Sequence, residues 1–269
     1  MLKNNIFGRL KSKIILGRFL NKKTGIKTLP LIYPDKKICL FVNEKSGCTF
    51  ATKWLFFHLG ILDEAMEYDN WIHKYRYDIY YKQDRYRLNF ISIFSNKYTR
   101  MKLVRSPYQR AVSSYIHAIR TRYATQELSR FLDREVNDEN TFTFEEFVAY
   151  LEKTGVRKCN PHHRAQAEKA ELTGYLKIDR VVKLEGSIAE FRRIEDEYCL
   201  KPSDLDSLSK SAHHHNRIES NEYCGDRKFS KREKNFNQYQ SFYNDELKDK
   251  IANLYASDFY QYNYPVDEL

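Results

Sequence analysis

Two short passages of this 269-residue chain bring together residue types that hold anions. The first, Asn43-Glu44-Lys45-Ser46-Gly47-Cys48-Thr49-Phe50-Ala51-Thr52, sets one lysine, one glycine and several hydroxyls between an apolar run and a helical pattern. A strand-loop-helix passage of this kind suits a phosphate. Gly47 lets the backbone approach an anion, the first N–H groups of a helix have no intrahelical acceptor, and the hydroxyls of Ser46, Thr49 and Thr52 add donors. It is not a Walker A loop, because GxxxxGK followed by Ser or Thr is absent and Lys45 precedes the glycine. Taken alone, a plain capped loop competes with this reading. The second passage, Val104-Arg105-Ser106-Pro107-Tyr108-Gln109-Arg110-Ala111-Val112-Ser113-Ser114-Tyr115, ends a strand in arginine and opens a helix with proline. Arg105 projects from the carboxyl edge of that strand. Ser113, further along the helix, can face the same way, so that both hold one phosphate by charge-assisted bonds. The alternative is an arginine paired with a carboxylate and a serine tucked against the helix backbone.

Both passages need elements to position them, and the flanking patterns supply these. Ile38-Cys39-Leu40-Phe41-Val42 is a continuous apolar run, as expected of a strand buried on both faces; Met101 to Val104 and Val181 to Leu184 are similar. Helical patterns follow each, over Thr49 to Leu59, Tyr108 to Arg120 and Ser187 to Tyr198. Strand and helix in alternation predict an α/β fold, a P-loop-like parallel sheet flanked by helices, with ligands beyond the carboxyl ends of the strands. No repeat or linker divides the chain, so residues 37–269 are expected to form one domain. Ahead of it, residues 1–36 begin with Ile6, Phe7, Leu10, Ile14, Leu16, Phe19 and Leu20 interleaved with Lys3, Arg9, Lys11, Lys13, Arg18, Lys22 and Lys23. That pattern predicts a basic amphipathic helix, either lying on an anionic membrane or packed on its own domain.

Composition narrows the function classes. A content of 42% hydrophobic and 15% aromatic residues excludes disorder throughout, and 46 Lys and Arg against 36 Asp and Glu favour an anionic partner. Cys39, Cys48, Cys159, Cys199 and Cys224 are odd in number with no CxxC pair, which argues against a disulfide framework or zinc site and for a reducing compartment. With no apolar run near the roughly 20 residues of a membrane span and no signal-peptide core, a cytosolic protein is expected.

The two passages together resemble the two signatures of PAPS-dependent sulfotransferases, enzymes that use 3′-phosphoadenosine 5′-phosphosulfate as donor. Lys45, Gly47, Cys48 and Thr49 match the K-x-(A/G)-C-T form found in Golgi carbohydrate sulfotransferases, the chondroitin 4-O enzymes among them. Arg105, Arg110 and Ser113 fall on V-R-(D/E)-P-(F/Y)-x-R-x-(V/L)-S-(A/S)-Y. The resemblance continues through Phe144 to Leu151, Asn160-Pro161-His162-His163, Val182 to Glu185 and Leu254 to Tyr264. It implies that Lys45, Ser46, Gly47, Cys48, Thr49 and Phe50 bind the 5′-phosphosulfate, that Arg105 and Ser113 bind the 3′-phosphate, and that Arg217, in a late polar loop, reaches a phosphate. It also implies a glycan acceptor and no metal. Ser106 in place of an acidic residue, His163 in place of Trp, and the lack of cysteines in Ala167-Glu168-Lys169-Ala170 are departures that bear on the acceptor more than on the reaction, and with no amino-terminal anchor the chain looks like a bacterial, cytosolic member.

The base that takes the acceptor's proton is sought among His73, His162 and His163, with Glu44 as a carboxylate alternative. Imidazole, with an ordinary pKa of about 6.5, is neutral and available at physiological pH. His73 and His162 are the leading candidates, and Lys45 is expected to neutralise charge on the leaving oxygen. The run His213-His214-His215 is a poor metal site, since three consecutive side chains do not converge on one ion. Tyr75, Tyr77, Tyr80, Tyr81 and Tyr86, interleaved with Lys74, Arg76, Lys82, Arg85 and Arg87, read either as a lining for the acceptor or as an amphipathic surface. The rival functions are a P-loop small-molecule kinase, which lacks its Walker lysine here, and a basic nucleic-acid-binding module, for which no motif is legible.

Overall fold

The computed structural model describes residues 25–210, 222–233 and 235–269, together with the backbone of Asn216–Ile218. Most of the amphipathic stretch and the His213-His214-His215 run lie outside the described residues. In chain order, the elements that bear on function are β1 (Leu31–Tyr33), β2 (Ile38–Val42), α1 (Cys48–His58), α2 (Ile72–Asp78), β3 (Thr99–Val104), α3 (Pro107–Thr121), α4 (Phe144–Thr154), β4 (Arg180–Lys183), α5 (Ser187–Glu197), β5 (Asn216–Ile218), β6 (Asn235–Asn237) and α6 (Asp245–Leu254). Among the described residues no helix is long and apolar enough to cross a membrane. The chain forms two compact units that interleave along the sequence, which is why no linker composition marks them.

The first unit comprises the described residues up to Val42, Gly47–Leu103 and Ala167–Lys210. Its sheet has the order β1-β2-β3-β4, with helices flanking it as the alternating pattern predicts. β2 and β3 run parallel, Leu40 opposite Met101 and Val42 opposite Leu103. β1, however, is antiparallel to β2, so the sheet is mixed rather than wholly parallel. The cause is local: only the turn Pro34–Lys37 separates β1 from β2, closed by Lys37 N–H donating to the Pro34 carbonyl at 3.2 Å. A connection that short permits a hairpin, whereas a parallel crossover needs about a dozen residues or more. Every residue of β2 is buried, as expected. β4 is not, because it forms the sheet edge with Val181 38% exposed, and Leu184 leaves the strand for a single 3-10 turn. Phe50 and Trp54 of α1 each lie 4.8 Å from Phe191 of α5, edge to face. Burying aromatic rings of this size stabilises the unit by about 2 kcal/mol or more apiece.

The second unit comprises Asn43–Ser46, Val104–Gln166 and the described residues beyond Lys210. Its core is aromatic. Tyr115 of α3 sits against Phe142, Phe144, Phe147, Phe229 and Phe242, and its buried hydroxyl donates to the Phe142 carbonyl at 3.0 Å. α4 starts with a reciprocal capping box between Thr143 and Glu146, and Asn244 caps α6. β5 and β6 form a short parallel pair in which Arg217 lies opposite Phe236.

Candidate active site

The loop after β2 turns sharply. Ser46 N–H donates to the Asn43 carbonyl at 3.3 Å, and Lys45 (φ 67°) and Gly47 (φ 86°) both take left-handed conformations. Glycine is required at 47 for a second reason. A Cβ there would lie 2.7 Å from Leu184 Cδ1 and 3.1 Å from Leu103 Cδ2, so the loop is pressed onto the apolar core. α1 then begins at Cys48, with no side chain capping it and no acidic residue in its first turn. The first ladder bond runs from Ala51 N–H to the Gly47 carbonyl at 3.0 Å, which leaves the N–H groups of Cys48, Thr49 and Phe50 without intrahelical acceptors.

Side chains of this passage divide between interior and surface in a way the sequence did not reveal. Ser46 is fully buried and its hydroxyl donates to Gln166 Oε1 at 2.6 Å; Thr52 is fully buried and donates to the Cys48 carbonyl at 2.7 Å. Neither hydroxyl is therefore the phosphate donor expected of it. The ring of Phe50 is 4% exposed, leaving only its backbone N–H for a ligand. Thr49 is half-buried, and its Oγ1 is 3.0 Å from Nε2 of His73. That imidazole is 6% exposed on α2, and its Nε2 also lies 3.6 Å from Cys48 Sγ. A histidine singled out for its type thus rests on the first turn of α1. Its aromatic neighbours separate: Tyr75, Tyr80 and Tyr86 are core residues, a correction to their reading as an acceptor lining, whereas Trp71 (52%) and Tyr77 (42%) face solvent.

In the second unit Arg105 is held by a residue the sequence did not flag. Gln166 is fully buried; its Oε1 accepts from Arg105 N–H at 2.9 Å and its Nε2 donates to the Arg105 carbonyl at 2.8 Å. Gln166 N–H donates in turn to the fully buried Asp258 at 2.8 Å. Ser46, Arg105 and Asp258 are thereby joined through one residue, Gln166, and only a contact across distant sequence could have shown it. The guanidinium of Arg105 donates to the Lys45 carbonyl at 3.3 Å, bonds the Tyr239 hydroxyl and lies over the Tyr239 ring. No carboxylate among the described residues pairs with it, and its buried Nε has no hydrogen-bond partner among them. Arg110, 2% exposed, braces the same loop by donating to the Glu44 carbonyl at 3.1 Å. Ser113 is half-buried on α3, while its neighbour Ser114 donates to the His162 carbonyl at 2.9 Å.

The remaining base candidates differ in environment. His162 stacks on Tyr123 with ring centres 4.6 Å apart, and its Nδ1 is 2.8 Å from Asn160 Oδ1. Burial, helped by Lys45 and Arg110 and opposed by Glu44, pushes its pKa down to about 4, so it is neutral at pH 7 but a weak base. His163 is 1% exposed among Phe147, Tyr150 and Tyr123, and burial with Arg110 beside it lowers its pKa to about 3. It is a core residue, corrected from a base candidate. Glu44 is half-buried, with Oε2 lacking a hydrogen-bond partner among the described residues. Arg217 is described by its backbone alone, in β5.

The family model described as the sulfotransferase family matches residues 31–265. No curated protein and no solved structure matches the chain.

Proposed function

Because the chain belongs to the sulfotransferase family, we propose that it moves a sulfuryl group from PAPS to a hydroxyl of a carbohydrate, releasing adenosine 3′,5′-bisphosphate. The observation that carries this reading is the open N-terminus of α1, uncapped and free of acidic side chains in its first turn, three residues after Lys45. Its unengaged N–H groups and the helix dipole fit the anionic 5′ end of such a donor. Arg105, with no carboxylate beside it and no partner for its Nε among the described residues, fits a second phosphate, and Ser113 is assigned to the same group. Lys45 and the N–H groups of Gly47, Cys48, Thr49 and Phe50 take the phosphosulfate.

Sulfuryl transfer is an in-line displacement. The acceptor oxygen forms a bond to sulfur as the bond from sulfur to the 5′-phosphate oxygen breaks, so the protein's part is positioning and charge neutralisation. Lys45 stabilises negative charge on the departing oxygen. His73 receives the acceptor's proton at Nε2, the nitrogen that Thr49 touches. His162, neutral but weakly basic, is the alternative base. A carbohydrate acceptor is supported by the likeness of the Lys45–Thr49 passage to carbohydrate sulfotransferases and by the exposed rings of Trp71 and Tyr77 next to His73 on α2. Two measurements test the reading. Incubation with ³⁵S-labelled PAPS should label a glycan, with no label expected on protein or nucleic acid. Adenosine 3′,5′-bisphosphate should raise the melting temperature; protection by ATP with Mg²⁺ instead would favour the kinase rival, and protection by an oligonucleotide the nucleic-acid-binding rival.

A further inference from the structure

α2 carries a buried cation that this scheme does not use. Arg76 is 5% exposed, and no Asp or Glu among the described residues pairs with it. It donates to Thr52 Oγ1 at 3.3 Å and to the Tyr77 hydroxyl at 2.6 Å, and its guanidinium lies 4.7 Å from the Tyr77 ring centre and 5.7 Å from that of Tyr81. Its Nε is buried without a hydrogen-bond partner among the described residues. By contrast, the buried Lys102 of the same unit is neutralised by Glu171. A guanidinium taken from water without a counter-charge is costly, and hydroxyls and aromatic faces return only part of that cost. A bound anion within reach of its field would return the rest.

The surroundings say where that anion binds. Thr52 gives its own proton to the Cys48 carbonyl and so accepts from Arg76, which ties the arginine to α1 just inside its open N-terminus. Cys48, the first residue of α1, lies within the arginine's field. His73 precedes Arg76 by three positions on α2, hence shares its face, and touches Thr49 and Cys48. We infer that Arg76 is the fixed counter-charge for the sulfuryl group in transit, a positioning residue that acts through its field and through Thr52 on the first turn of α1. The inference rests on the reading of that turn as the donor site.

The test uses the full chain. Arg76→Met keeps most of the stem and removes the charge. It should hold or raise the melting temperature of the ligand-free protein, since an uncompensated buried charge is gone. Turnover with PAPS should fall about tenfold or more, since one unit charge about 12 Å away at an effective dielectric of about 20 already changes a rate by that factor. Adenosine 3′,5′-bisphosphate, which lacks the sulfuryl group, should bind within about threefold of wild type, and Arg76→Lys should recover most of the turnover. Should the Met variant not fold, Arg76→Gln, neutral but able to bond Thr52 and Tyr77, carries the same expectations. A lower melting temperature with unchanged turnover per folded molecule overturns the inference in favour of a structural strut. Equal losses of turnover and bisphosphate affinity overturn it too, by assigning Arg76 to the nucleotide phosphates. If the wild type neither binds the bisphosphate nor transfers label, the sulfotransferase reading itself fails and the inference falls with it.

Discussion

α1 and α4 are helices of similar length whose beginnings are built to opposite plans. At α4, Thr143 Oγ1 accepts from Glu146 N–H at 3.0 Å, Glu146 Oε2 accepts from Thr143 N–H at 2.9 Å, and Glu145 and Glu146 place negative charge against the helix dipole. At α1 the preceding residue is a left-handed glycine, no side chain caps, and no acid stands in the first turn. α3 follows the second plan, with Ser106 making no capping bond and no acid in its first turn. α2 also starts without a cap or an acid, after Trp71, but α1 and α3 carry the open plan at the carboxyl ends of β2 and β3, where the chain forgoes about 1 kcal/mol of capping at each. On the proposed function that stability is recovered when an anion arrives, so an uncapped start that is also free of acid, at a strand's carboxyl end, is where a ligand is expected.

The hardest blow to this contrast comes from removing the charge beside the open end. Lys45→Ala should lower turnover by about two to three orders of magnitude, the cost of losing one donor that acts in the transition state, with a smaller effect on bisphosphate affinity. Steady-state kinetics with PAPS decide it; unchanged turnover would strip the open end of its assigned chemistry.

Much of this was readable beforehand, and the rest was hidden for identifiable reasons. The run Ile38–Val42 appears as β2 with the predicted bounds, and α1, α3 and α5 begin and end within one residue of the expected patterns, because periodicity and the Gly47 and Pro107 signals are local. Lys45 and Arg105 stood out by type and place. What stayed hidden depends on partners distant in sequence. Ser46 turns inward because Gln166, 120 residues away, accepts its proton, and Gln166 is in turn oriented by Asp258. His163 looked like a base because its type titrates near neutrality, yet the aromatic pocket that silences it comes from Phe147, Tyr150 and Tyr123.

Gly47 sharpens the contrast from the packing side. Gly47→Ala must hold a left-handed φ of 86° and fit a methyl 2.7 Å from Leu184 Cδ1. The two costs together should lower unfolding free energy by about 3 kcal/mol in a urea titration. A loss below about 1 kcal/mol would mean that the loop relaxes freely and is not pinned to the core.

Thr49→Asp separates stability from function at the open end. A carboxylate in the first turn of α1 complements the dipole and should add about 0.5 kcal/mol to stability, while repelling the donor and weakening adenosine 3′,5′-bisphosphate about tenfold or more. If the variant is stabilised and still binds normally, α1 is an ordinary helix start.

Thr143→Ala makes the reciprocal change at the closed end, and its expected effect is the smallest. The substitution removes the acceptor for Glu146 N–H and leaves Glu146 Oε2 on Thr143 N–H without its partner in the box. Glu146 is retained by Arg134, which donates to both its carboxylate oxygens, so the helix start is weakened rather than lost. The cost should be about 1 kcal/mol, which for a chain of this size lowers the melting temperature by about 2–4 °C. Turnover per folded molecule should not change, because Thr143 caps a helix whose buried face packs into the aromatic core and whose N-terminus is already satisfied by protein. Scanning calorimetry and kinetics on one preparation measure both quantities. A drop in turnover larger than the loss of folded protein would show that the capped end also serves the reaction, and the division between closed and open helix starts would not hold in this fold.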